Sequence, residues 1–163
     1  MIVRADDLRS EGLQVDLAIA PGPLSYVRDF EIEVTSASLT AHVQPSRGGL
    51  TCAGRMVAAV RVPCSRCLEP YDLPVEREFR VEYMPPPENR GGREGEVHIP
   101  RSELDVDYLD EQRRVDMRDL AAEQIYLEIP MKPLCAPDCR GLCMKCGGNR
   151  NRDECLCAVG APS

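Results

Sequence analysis

The chain has 163 residues, a formal net charge of −7, 43% hydrophobic and 29% charged side chains, and no tryptophan. Such a length suits one globular domain with a small appendage, and its core must rest on aliphatic side chains. The acid excess excludes a surface that is a nucleic-acid footprint throughout, and no run of residues is apolar enough to span a membrane.

The start, MIVRADDLRSEG, has no apolar stretch of the kind that exports a protein, so a cytoplasmic location without membrane contact is expected. From there the chain reads as strands. Leu13, Val15, Leu17 and Ile19 alternate with polar or small residues, the period of a half-buried strand. Leu39, Ala41 and Val43 repeat the pattern, and Met56, Ala58, Val60 and Val62 do so again after the turn signal Arg47-Gly48-Gly49. Val75, Arg77, Phe79, Val81 and Tyr83 form a fourth alternating set. Residues 85–95, PPPENRGGREG, read as a loop, followed by a short strand over 96–99.

Five acids between Glu103 and Glu111 read as a solvated edge, because they lack the ligand spacing of a calcium loop. Residues 116–129 predict a helix. Asp116 can cap its first turn, and Met117, Leu120, Ala121, Ile125 and Leu127 offer an apolar face. Pro130 then stops it. The expected fold is α+β: a mainly antiparallel, curled or barrel-like sheet with one principal helix, in a body of residues 1–130. A cysteine-rich tail over 131–163 completes it.

Cysteine usage is the anomaly. Nine thiols in a chain with no export signal point to metal or redox chemistry before disulfides. Six lie between Cys135 and Cys157, spaced C-x3-C-x3-C-x2-C-x8-C-x-C. The tail's other apolar side chains, chiefly Leu134, Leu142, Met144, Leu156 and Val159, are too few to offset the entropy of ordering it, whereas structural zinc has the required strength. Cys143-Met-Lys-Cys146-Gly147 is a zinc-knuckle signature. Cys155 and Cys157 are the preferred closing pair, and Cys135 and Cys139 the rival. Two further arrangements stay open: six thiolates bridging two ions, or spare cysteines joining Cys64 and Cys67 in a second four-sulfur site. An all-thiolate zinc site is closed and therefore structural; an iron–sulfur cluster is the other thiolate option.

Little else suggests chemistry. Pro63 before Cys64-Ser65-Arg66-Cys67 and Leu68-Glu69-Pro70 after it leave no room for the helix that a redox C-x-x-C opens, so a tight turn with buried or metal-bound thiols is expected. Cys52 reads as a small buried hydrophobe. His42 and His98, the only histidines, sit in strand-like surroundings, and no Walker or dinucleotide fingerprint is present. No enzyme is required. In the tail, Arg140, Lys145, Arg150 and Arg152 form a small basic cluster that could touch phosphates or a partner. All the basic residues except Lys132 and Lys145 are arginine, which coding composition explains as well as function does.

Two segments together resemble one family. VPCSRCLEPYDLPVEREF is similar to its first signature, a C-x-R-C-L pair leading into a strand; EIPMKPLCAPDCRGLCMKCGGNRNRDECLC is similar to its second, which closes on C-x-C. This is the YceD-like family, the large ribosomal RNA subunit accumulation proteins of bacteria and plastids, and the resemblance runs from about Val57 to Cys157. Met144 stands where the family often has proline, and Arg150-Asn151-Arg152 where it often has N-L-N. The resemblance implies a non-enzymatic factor in accumulation or processing of large-subunit ribosomal RNA. Its partners would be that RNA or a precursor large-subunit particle, or a basic ribosomal protein or maturation enzyme. The alternatives are a protein–protein adaptor without RNA contact and a thiol–disulfide oxidoreductase using Cys64 and Cys67.

Overall fold

A computed structural model describes residues 1–24, 32–85, 107–152 and 157. In chain order it contains β1 (Ile2–Arg4), a 3-10 turn (Ala5–Asp7), β2 (Leu13–Ile19), β3 (Gly22–Pro23), β4 (Glu33–Ser46), β5 (Gly49–Pro63), β6 (Pro70–Met84), β7 (Asp107–Tyr108), β8 (Arg114–Asp116) and α1 (Met117–Glu128). The four alternating segments are all strands, as their period of two dictates. The expected strand over 96–99, His98, most of the loop and the first acids of the 103–111 stretch lie outside the described residues.

The main sheet runs β2-β4-β5-β6-β7, with β3 also paired to β4. All its pairings are antiparallel except β6 with β7. Arg47 and Gly48, both at positive φ, make the two-residue turn between β4 and β5, a geometry that matches the right-handed twist of the strands it joins. Among the described residues the sheet is open, because its edges β2 and β7 do not pair with each other. The expected curl therefore stops short of a barrel. β7 is two residues long and offers almost no edge to close against. α1 packs against β5 and β6 instead, and supplies the hydrocarbon that a second barrel wall would have provided.

Register sets the core. Leu39 pairs with Met56 and Ala58 with Val75, so one face of three long strands is apolar and meets Met117, Leu120, Ala121 and Ile125 of α1. The Asp116 carboxylate caps the helix by accepting from the Arg118 backbone N–H at 2.8 Å, and Ile129 ends it just before Pro130. One expected helix contact differs: Leu127 is 60% exposed, while Gln124 is buried. At about 100° per residue, Gln124 falls near the centre of the face defined by Met117 and Ala121, and Leu127 at its margin.

Gln124 is buried because Arg77 meets it. On β6, Arg77 occupies a core-facing position opposite Met56. Its Nε donates to Gln124 Oε1 at 3.0 Å, and its Nη1 pairs with Glu128. The one cation of this alternating set thus sits on the core side, satisfied by two helix side chains. Replacing Arg77 with alanine should orphan the Gln124 carbonyl and cost about 1–3 kcal/mol in urea unfolding. Arg80→Ala, on the exposed face, should stay within about 0.5 kcal/mol of the parent.

Candidate metal centre

β5 and β6 are joined by residues 64–69, and this short loop carries Cys64 and Cys67. Its backbone folds as a knuckle: the Arg66 N–H points at Cys64 Sγ at 3.5 Å, and the Leu68 N–H closes onto the Cys64 carbonyl at 2.9 Å. After α1, Pro130 and Pro133 keep the chain out of helix, and it returns across the loop. The Ser65 N–H donates to the Pro133 carbonyl at 2.8 Å, the Arg66 guanidinium to the Cys139 carbonyl at 2.9 Å, and the Leu142 N–H to the Arg66 carbonyl at 3.1 Å.

This strap brings Cys135 and Cys139 to Cys64 and Cys67. All four Sγ atoms lie within 4.8 Å of one another. Cys64 to Cys139 and Cys67 to Cys135 are each 3.7 Å. A disulfide would need a separation of about 2.05 Å, so these are free thiols. A tetrahedron with metal–sulfur bonds of about 2.3 Å has edges of about 3.8 Å, and the two distances match it. Cys64, Cys67 and Cys139 are buried, with Tyr71 and Leu134 packed against them.

The surroundings divide the four sulfurs. Cys64 and Cys139 are brought below the usual thiol range, whereas desolvation and then the neighbouring thiols push Cys135 up to about 12. The Glu69 backbone contact lowers Cys67, but burial and the Cys64 side chain outweigh it, and that thiol is raised. Burial would raise the Cys64 thiol, but the backbone N–H groups of Cys135, Cys67 and Arg66 outweigh it and hold it down at about 6. Desolvation also opposes ionisation of Cys139, whereas the Asn151 amide and the Gly141 N–H bring it below the usual thiol range. Asn151 donates to Cys139 Sγ at 3.3 Å and accepts from the Arg140 N–H at 2.7 Å. Cys52, by contrast, lies in the core, where burial pushes its thiol up to about 12 and leaves it inert.

A second group follows. The Cys143 and Gly148 backbones pair at 2.8 Å, Leu142 bridges to Asn149, and the Arg150 N–H donates to the Gly141 carbonyl at 2.9 Å. This small hairpin holds Cys143 and Cys146, and Cys157 joins them with all three Sγ atoms within 4.8 Å.

The family model described as large ribosomal RNA subunit accumulation protein YceD matches residues 52–162. The chain belongs to the YceD family. A chloroplastic large ribosomal RNA subunit accumulation protein, YCED homolog 1 of Zea mays, is 26% identical over 143 residues, covering 76% of this chain and 49% of the relative. An uncharacterized protein of Mycobacterium tuberculosis is 28% identical over 109 residues, covering 67% and 49%. The chloroplastic YCED homolog 1 of Arabidopsis thaliana is 34% identical over 47 residues, covering 29% and 15%. The chain thus spans about half the length of the first of these curated relatives, and no solved structure matches it.

The YceD match takes in every cysteine of both groups. Of the expected ligands, Cys135 and Cys139 lie with Cys64 and Cys67, not with the knuckle of Cys143 and Cys146. Cys157 lies with that knuckle, and Cys155 is outside the described residues. Arg140, Lys145 and Arg150 are exposed around the hairpin, while Arg152 reaches Glu69 at 3.3 Å. Asn151 and Glu69 went unrecognised in the sequence. No motif marks an asparagine that reaches a sulfur twelve residues back, and only folding reveals it.

The two knuckles share one geometry with different residues at the turn. The Gly147 N–H closes onto the Cys143 carbonyl at 2.8 Å just as Leu68 does on Cys64, and the two have φ of 72° and 61°. Leucine there adopts a left-handed backbone that costs it about 1–2 kcal/mol, and its side chain is 64% exposed. Leu68→Gly should therefore leave the unfolding free energy unchanged or raise it by up to about 1 kcal/mol. Leu68→Val should lower it by at least about 1 kcal/mol, as read by thermal and urea unfolding.

Proposed function

We propose that this protein is a non-enzymatic factor in large ribosomal subunit biogenesis that supports accumulation or processing of large-subunit ribosomal RNA. Membership of the YceD family carries the reading, and the chain's own chemistry fits it. The sulfurs with lowered proton affinity are buried inside a cluster, where no disulfide substrate reaches them; Cys64 is 0% exposed. This argues against thiol–disulfide turnover.

The proposed cofactor is structural zinc, held by Cys64, Cys67, Cys135 and Cys139. Four thiolates at tetrahedral spacing suit zinc, which supplies a closed crosslink between the β5–β6 loop and the strap after α1. Asn151 would orient Cys139 and link this centre to the hairpin. Outer partners of this kind are worth about 10–100-fold in metal affinity. Asn151→Ala should accordingly weaken zinc retention by about tenfold or more in chelator competition, with the β-sheet circular dichroism unchanged.

The RNA-facing surface is assigned to Arg140, Lys145 and Arg150 on the hairpin. They are exposed, whereas Arg152 is partly committed to Glu69. Binding to large-subunit ribosomal RNA should weaken steeply as salt rises, and Lys145→Glu with Arg150→Glu should flatten that slope by about two counterions. Salt-independent or absent RNA binding would instead favour the adaptor reading, which the net charge of −7 supports. In cells lacking the protein, density gradients should show a deficit of large subunits and accumulated large-subunit RNA precursors. Normal profiles would overturn the biogenesis reading.

A further inference from the structure

We propose that the chain carries a second thiolate metal site, at Cys143, Cys146 and Cys157, which loads independently of the four-sulfur centre and exchanges its ion faster. The proposal extends the zinc reading of the first centre but stands on its own sulfurs. Their mutual separation, within 4.8 Å, is that of ligands sharing one ion.

The local backbone is already shaped for a thiolate. In Cys143-Met144-Lys145-Cys146 the Lys145 N–H points at Cys143 Sγ at 3.4 Å, and the Gly147 N–H closes onto the Cys143 carbonyl at 2.8 Å. These are the same two contacts, within 0.1 Å, that shape the Cys64-Ser65-Arg66-Cys67 loop of the four-sulfur centre, at 3.5 and 2.9 Å. The repeated geometry gives the two loops the same ligand-bearing turn, and the cations Lys145 and Arg150 lie on the same hairpin. Thiolate donors select zinc or another soft or borderline cation over magnesium or calcium. Three sulfurs fill three corners of a tetrahedron, and the fourth falls to a donor that is not among them.

The two sites differ in access. In the four-sulfur centre Cys64, Cys67 and Cys139 are buried and Cys135 alone is exposed, whereas none of the second group is buried: Cys146 is exposed and Cys143 and Cys157 are half-buried. The four-sulfur centre also ties together segments about seventy residues apart, so releasing its ion requires the strap to part from the β5–β6 loop. At the second site Cys143 and Cys146 come from one hairpin and Cys157 lies eleven residues further on, so its ion can leave without parting the strap from the β5–β6 loop. A competing chelator should therefore reach the hairpin ion first.

The test is zinc content of the full chain by elemental analysis, followed by release into a chromophoric chelator. Two zinc per chain, leaving in two phases of about equal amplitude, is the expected result. Cys143→Ser with Cys146→Ser should remove the fast phase alone, and Cys64→Ser with Cys67→Ser the slow one. Cobalt(II) titration of the parent, read by sulfur-to-metal charge transfer, should reach two equivalents without recourse to any variant. One zinc that survives the Cys143/Cys146 variant overturns the second site and leaves the first standing. One zinc that survives the Cys64/Cys67 variant but not the other overturns the four-sulfur centre and independent loading with it. Two zinc leaving in a single phase would also overturn independent exchange, and a metal-free parent would overturn both centres.

Discussion

The convergence of four sulfurs from two distant stretches of chain is the constraint on which the rest of this molecule turns. The β5–β6 loop supplies two and the strap after α1 supplies two, with opposing pairs 3.7 Å apart. Four thiolates at that spacing would repel one another strongly in a buried setting, and the divalent cation proposed for this centre would offset that repulsion. The hydrogen bonds around it follow the same logic. Backbone N–H groups and the Asn151 amide point at sulfur, while Arg66 spends its guanidinium on the Cys139 carbonyl. The cluster thereby has the form of a crosslink site, with its hydrogen bonds holding the sulfurs in place.

The proposed crosslink would give the segment after α1 a position that hydrocarbon does not supply. The sheet and α1 share one aliphatic core, in which Met56, Leu39 and Ile125 are fully or almost fully buried. Beyond Pro130, burial passes to cysteine: Cys139 is buried, but Met131 and Met144 are wholly exposed. The hairpin of Leu142 and Asn149 then rests on the strap and the knuckle through the Gly141 and Arg66 carbonyls and through Glu69. Its exposed cations, Arg140, Lys145 and Arg150, are thus displayed from a base fixed by these hydrogen bonds.

Zinc at such a junction, as proposed, also makes the body and the tail depend on each other. The β5–β6 loop departs from ideal turn chemistry, with Leu68 at positive φ, and the strap that returns over it stores no large apolar face of its own. Either half alone is poorly determined. Joined through sulfur, each supplies the other's missing ligands, a form of cooperativity that hydrophobic burial provides in larger domains.

The sequence by itself determined the strands, the helix and the presence of sulfur chemistry, because these depend on local periodicity and spacing. Alternation placed β2, β4, β5 and β6, and Asp116 and Pro130 marked the ends of α1, since a cap and a proline act on their own turn of chain. Tertiary structure alone decided the partners. The pairing of Cys64 and Cys67 with Cys135 and Cys139 could be written down as one option among several, but ligand spacing constrains only neighbours, and nothing local distinguishes one cysteine pair from another across about seventy residues. For the same reason the burial of Gln124 beneath Arg77, the exposure of Leu127 and the reach of Asn151 to Cys139 emerged only in the fold. Each depends on which element arrives opposite, and that is set by the packing of the whole chain.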